Sequence, residues 1–374
     1  MSQRRLFAAL FILVAAAIPL AAQDKDKDKE KPKPPATQPA NKEQPKTDKD
    51  KPKEAKPADK DKDKEAKPAD KDKSPDKAAA GAKANLKWKM EKGKTFYQKM
   101  TTKTVQNMKI LNSEPKQTQT QTFVFSWTLE KQEGDIWVFK QKIEGVVMEI
   151  DIGGTKINYD STKDTNANNP LGDFFKALVG SEFIVTLNTK EQKVVKLEGR
   201  DEFVKKLSNA NPPMNQILGQ ILSEQALKDM AEPTFAAIPN KEVAKGDKWS
   251  RENNLDMGPI GKYTNVYNYT FDGLEGKLDK IKVETTLKYD PPDDKTPAAG
   301  LPFKIKKADL KTTSSSGFIL FDPEKGRIER STFKMDLGGE LNIEIGGQTT
   351  KVDLTQTQET TIETTDFNPL VKKA

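Results

Sequence analysis

From Asn85 onward, apolar and polar residues alternate in long runs with a period of two, the mark of half-buried strands. In "TQTFVFSWTLE", Phe123, Phe125, Trp127 and Leu129 share one face. In "GKYTNVYNYTF", Tyr263, Tyr267, Tyr269 and Phe271 do so, and in "KIKVETTLKY", Ile281, Val283, Leu287 and Tyr289. Turn chemistry punctuates these runs. "EIDIGGTKINY" reads as two strands about Gly153–Gly154, and "FKMDLGGELNIEIGGQTTKVDL" as three strands joined at Gly338–Gly339 and Gly346–Gly347. "ILFDPEKGRIER" places Pro323 and Gly326 in a short hairpin loop. Successive hairpins predict an antiparallel meander. One region follows another period. Asp201 to Leu207 and Met214 to Met230 carry apolar residues at helical spacing, with Pro212–Pro213 before the longer stretch and Pro233 after it. A shorter helix is predicted over Leu171 to Val179. The expected fold is mainly β (α+β): a curved antiparallel meander sheet or incomplete barrel, with a short helical insertion around residues 200–232.

The helical segment divides the folded region into halves, 85–198 and 235–374, that echo each other. "KGKTF" at Lys92 to Phe96 resembles "KGDKW" at Lys245 to Trp249, and "EFIVTLNTKEQKVVKLEG" resembles "GFILFDPEKGRIERSTF". An internal duplication is the expectation.

Before Asn85 the pattern disappears. Residues 23–84 hold no aromatic residue, and Lys53 to Asp63 is repeated as Lys64 to Ser74 with one change. So little apolar surface cannot offset the entropy of ordering, and Pro57 and Pro68 oppose a helix, so a disordered tether is predicted. The alternative is an arm that grips anionic envelope polymer through lysine. Its 19 lysines are interleaved with 15 acids, however, which favours a solvated spacer. Ahead of it, "MSQRRLFAALFILVAAAIPLAAQ" has a basic start, an apolar run and small residues. This is the grammar of a signal peptide, residues 1–22, cleaved after Ala22. The run is shorter than the roughly 20 residues of a membrane span.

Composition narrows the chemistry. The 374 residues include no cysteine and no histidine, which removes disulfides, thiol nucleophiles, histidine-based triads and the common zinc sites. The formal charge of +7 dissolves on inspection: Arg4 and Arg5 give +2 and the tether +4, leaving about +1 on residues 85–374. A nucleic-acid surface would need clustered positive charge, so no nucleic-acid partner is expected.

The tract from "LKWKMEKGKTFYQKM" through "NPLGDFFKALVGSEF", "PTFAAIP", "LDMGPIGKY" and "ILFDPEKGRIERSTF" resembles a family of exported planctomycete proteins that carries only an unknown-function label. The resemblance covers nearly all of residues 85–374. It implies a bacterial envelope setting, in periplasm or at the cell surface, and supplies no catalytic residues.

Three groups of residues invite chemistry and decline it. Ser331 and Lys334 match S-x-x-K, as do Ser74 and Lys77 in the tether. That chemistry needs a helix start, whereas Phe333, Met335 and Leu337 alternate as a strand, which turns Ser331 and Lys334 to opposite faces. Asp290, Asp293 and Asp294 match no EF-hand spacing and sit among prolines, as in an exposed connector. Glu149 and Asp151 fall on the polar side of an alternating strand. No catalytic, cofactor-binding or metal site is therefore expected, and no cofactor. The leading expectation is a non-enzymatic envelope protein that does not span the membrane after signal cleavage, with an apolar small molecule or an envelope component as partner. The alternatives are a structural or protein-interaction module displayed on its tether, and a carboxylate-dependent hydrolase. Helices covering the whole aromatic face would give a filled core; helices at one end would leave a concavity for an acyl chain.

Overall fold

The computed structural model describes residues 83–111, 113–163 and 171–371. The signal peptide, and the tether up to residue 82, lie outside the described residues. Fourteen strands follow in chain order: β1 Ala84–Leu86, β2 Thr95–Ile110, β3 Lys116–Glu133, β4 Ile136–Ile152, β5 Thr155–Asp160, β6 Glu182–Asn188, β7 Lys193–Glu198, β8 Lys241–Val243, β9 Lys248–Asp256, β10 Lys262–Glu275, β11 Leu278–Asp290, β12 Lys304–Asp322, β13 Arg327–Ile345 and β14 Gln348–Thr365. Between β5 and β6 lies helix α1 (Gly172–Leu178), and between β7 and β8 lie α2 (Arg200–Ala210), α3 (Asn215–Ile221) and α4 (Glu224–Ala236). With 60% of the described residues in strands and 16% in helices, the protein is mainly β, as the alternation predicts.

Apart from β1 and β8, which pair with each other, the strands form one antiparallel sheet in the order β7-β6-β4-β3-β2-β14-β13-β12-β11-β10-β9, with β5 on the far half of β4. The chain enters at the middle on β2 and meanders out to the edge strand β7. It crosses by way of the helices to the other edge, β9, and meanders back until β14 pairs with β2. Laid flat, ten gaps of about 4.8 Å would separate the edges by about 48 Å. Helix α4 nevertheless packs against both β7 and β9. A helix is only about 10 Å across, so the sheet must curl. It does not close: no ladder joins β7 to β9.

The faces of the curled sheet differ. The outward faces of β2 and β14 oppose Lys99 to Glu363 and Lys103 to Glu359 across the strands, charge pairs suited to water rather than to a lipid-facing band. Inward-facing side chains and the helices form two apolar clusters. One joins β3, β4 and β6 to the helices, and the other joins β10 to β13 with β1 and β8. Phe123, Phe125, Trp127 and Leu129 are buried together as the sequence pattern requires.

Local readings meet three corrections. Gly346–Gly347 forms a hairpin turn with both residues at positive φ, as does Gly153–Gly154, the geometry of a tight turn that splices twisted strands. Gly338–Gly339, however, does not turn, and β13 runs straight through it. A Cβ on Gly339 would stand 1.9 Å from the Asp309 carbonyl oxygen on β12, so this glycine permits close approach of two strands. The stretch Met214 to Met230 is two helices rather than one, broken at Leu222, and Ser223 caps the second by accepting from the Ala226 N–H at 3.1 Å. Nor does Pro233 end the helix; α4 continues through it to Ala236.

The echo between halves has a structural counterpart in its first pair. Gly93 and Gly246 both adopt positive φ, and each donates its N–H at 2.8 Å to the carbonyl of a neighbouring strand, Leu129 on β3 and Phe271 on β10. The order β2-β3-β4-β6-β7 also matches β9-β10-β11-β12-β13, each as a five-strand meander.

Candidate functional site

The residues singled out in the sequence fall apart from one another. Ser331 is buried on β13 while Lys334 is exposed, so lysine and serine face opposite ways. Asp290 pairs with Lys288 at 3.0 Å, and Asp294 receives Lys306 at 3.2 Å and, through its carbonyl, Lys304. Glu149 is exposed, and Asp151 accepts the Gly154 N–H of the adjoining turn at 2.8 Å. Among the described residues, no group of three or more carboxylates is arranged to hold a metal ion. Ser74 and Lys77 lie outside the described residues.

What the fold does assemble is an interior with a seam. At the seam, α4 takes the place of a strand pairing. Pro233 has no N–H, so the Asp229 carbonyl one turn earlier lacks its helical donor; Asn253 on β9 supplies one from Nδ2 at 2.8 Å. Glu232 accepts the backbone N–H of Val194 on β7. The carbonyls at the C-terminal end of a helix have no donor within it. Here Trp88 Nε1 bonds the Phe235 carbonyl and Trp249 Nε1 the Ala237 carbonyl, each at 3.1 Å. Gln192, in the left-handed region at φ 59°, donates to the Ile238 carbonyl and accepts from Arg251 on β9. Phe235 drives inward, stacked on Phe139 at 5.4 Å and edge-on to Trp127 at 5.8 Å.

Beside α4 the seam opens into a cleft of about 600 Å³. Its lining mixes Lys190, Lys193 and Arg251 with Asp135, Glu191 and Glu232, and Tyr267 also lines it. Burial holds the Glu232 carboxyl above its ordinary range, with Lys193 opposing the shift. Asp229 is also shifted upward by burial, but it is engaged by Gln225 at 2.7 Å and does not line the cleft. One raised carboxylate that holds a strand N–H is a docking contact rather than an acid–base pair.

The second part of the site is a polar field inside the sheet. On β3, Gln117, Gln119 and Gln121 face inward in succession toward Phe123. They register against Gln106, Thr104 and Thr102 on β2, which register in turn against Gln356, Gln358 and Thr360 on β14. All nine side chains are buried. The flanking inward positions are apolar: Met148, Ile150 and Ile152 on β4, and Phe333, Met335 and Leu337 on β13. Within this lattice, Gln119 donates to Gln121 at 3.3 Å, and Thr102 and Thr360 share a bond at 3.1 Å. Gln106 Oε1, Gln117 Oε1 and Gln121 Nε2 have no hydrogen-bond partner. On β10 and β11, Asn265 and Thr285 are likewise buried with unpaired side-chain atoms. The sequence reading missed the lattice. Its signal is the alternation "QTQTQT" at 117–122 and "TQTQ" at 355–358, in which both faces are polar yet one is buried.

Hydroxyls meet carboxylates away from the seam: Ser126 donates to Glu144 at 2.7 Å and Ser314 to Asp336 at 2.5 Å, and none of these residues lines the cleft. Burial pushes the Tyr289 hydroxyl far above the ordinary range, and it donates to the Ile260 carbonyl at 2.5 Å.

Among solved structures, the chain is similar to lipovitellin, at 10% identity and a TM-score of 0.38 over 76% of this chain, though it spans only 27% of that one. It is also similar to an outer membrane channel from Pseudomonas putida F1, at 8% identity and a TM-score of 0.24 over 78% of this chain and 100% of that one. DynF from the dynemicin biosynthesis pathway of Micromonospora chersina gives 8% identity and a TM-score of 0.19 over 80% and 92%. Likenesses this weak carry no functional argument. No curated protein matches. The family match at residues 134–328 contains every residue lining the seam cleft, while the glutamines of the lattice lie outside it. Because that match spans just over half of the sequence, the chain belongs to DUF6263, a family of unknown function.

Proposed function

We propose that the protein is an exported, non-enzymatic component of a bacterial envelope whose curled sheet carries an apolar or amphipathic small molecule. The signal-like amino terminus and the resemblance to exported planctomycete proteins support the setting. Among the described residues, no helix is long and apolar enough to cross a membrane.

The observation that carries the reading is the seam. The sheet's edges are joined by a helix held through side chains and carbonyls, so the interior can open without breaking a ladder of strand hydrogen bonds. Inside, aromatic and aliphatic side chains around Phe123 and Phe125 adjoin a polar field, which suits a molecule with an apolar body. The helices pack on β4, β7 and β9 and reach Trp127 of β3 through Phe235, so an acyl chain would enter by displacing buried side chains rather than into an open concavity.

Titration of the full chain with a fluorescent fatty-acid probe tests this. Weak, saturable binding is expected, with a change in emission from Trp127, whose ring touches Phe235 of α4. Phe125→Trp should lower affinity more than it lowers thermal stability. Absence of saturable binding overturns the carrier reading and leaves a tethered interaction module in its place.

A further inference from the structure

We infer that the glutamine lattice of β2, β3 and β14 receives an uncharged, hydroxyl-bearing end group of the ligand, such as a glycerol ester. The inference rests on the carrier reading and specifies which ligands that carrier takes. Buried polar groups are almost always hydrogen-bonded, and an unmet one costs free energy. Gln106, Gln117 and Gln121 are 4%, 3% and 1% exposed, yet each leaves an amide atom unpaired. Gln106 and Gln117 are register partners, and Gln121 lies about 14 Å further along the same inward face, beyond Gln119.

The orphan atoms define what would satisfy them. Two are carbonyl oxygens that require donors, and one is an amide nitrogen that requires an acceptor. Turning Gln106 or Gln117 over still leaves both kinds of orphan, and turning Gln121 over would lose the bond that its oxygen accepts from Gln119. A hydroxyl does so. An ionised carboxylate or phosphate offers acceptors alone, and a primary ammonium donors alone. Either would be a charge without a counter-charge, because the flanking inward residues on β4 and β13 are apolar. The apolar body follows from the same strand: Phe123 and Phe125 continue the inward face of β3 beyond Gln121. From Gln117 to Phe125 that face runs about 27 Å at roughly 3.4 Å per residue.

The test compares three probes with one acyl chain on the full protein: monooleoylglycerol, oleate and oleoyl lysophosphatidylcholine. Monooleoylglycerol should bind at least about tenfold more tightly than either charged probe. Gln117→Met and, on the neighbouring strand, Gln106→Met keep the length but remove the amide. Each should weaken monooleoylglycerol by about tenfold and leave oleate unchanged, with thermal melts confirming which variants fold. Equal binding of all three probes, or variants that alter none of them, would mean that ordered water fills the lattice; this overturns the inference and leaves the carrier reading standing. If no probe binds saturably, the carrier reading fails and the inference with it.

Discussion

Asp279 lies on β11 with 2% of its surface exposed. Burial alone holds its carboxyl above the ordinary carboxylate range. The folded state therefore binds this proton more tightly than the unfolded chain does. Its contribution is fully present below the unfolded pKa and is lost as pH rises through the folded one. Asp279→Asn should raise stability at neutral pH by roughly 1–3 kcal/mol, a gap that urea denaturation would find closing in acid. At this scale the sequence misleads where burial and polarity part company. Asp279 occupies an inward position beside Ile281 and Val283, and the glutamines of β3 do the same beside Phe123. A polar letter in an alternating run reads as the solvent face, and only the register shows otherwise.

Helix α4 shows how one residue type sets a contact elsewhere. Pro233 frees the Asp229 carbonyl, and Asn253 claims it from the edge of the sheet. Asn253→Ala should therefore cost about 1 kcal/mol in the parent protein. In a Pro233→Ala background the helix regains its own donor, so the same truncation should cost less. A double-mutant cycle by chemical denaturation would measure the coupling, expected at about 0.5–1 kcal/mol. Elements of this size were largely legible. The stripes at 171–179 and 201–207 became α1 and α2, and Pro323 with Gly326 marked the β12–β13 turn. Local punctuation misled at two places for physical reasons. Pro233 is tolerated because a side chain from β9 satisfies the freed carbonyl, and Gly338–Gly339 serves a close crossing of strands rather than a turn.

For the whole molecule, stability should be lowest along the seam. Strands β7 and β9 are each laddered on one side only, and α4 is held between them by isolated bonds. Hydrogen exchange should therefore be fastest in α4, β7 and β9 and slowest in β2, β3 and β14, and a bound acyl probe should slow the seam most. The central pairing of β14 with β2 was not legible in the sequence. The pairing of Val352–Thr365 with Tyr97–Ile110 joins segments far apart in the chain, and nothing local records it. That pairing has a topological consequence. Thr365, at the end of the last strand, stands beside Tyr97, near the start of β2, on strands about 4.8 Å apart. They are related as the two arms of any other hairpin are, except that no peptide joins them. Along the chain the described domain is thus a circuit of hairpins with one helical crossover, cut where one further turn would stand. A linker from the end of β14 back to the segment ahead of β1, with new ends placed in the connector between β11 and β12, would give a circular permutant that keeps every ladder of the parent, β1–β8 included.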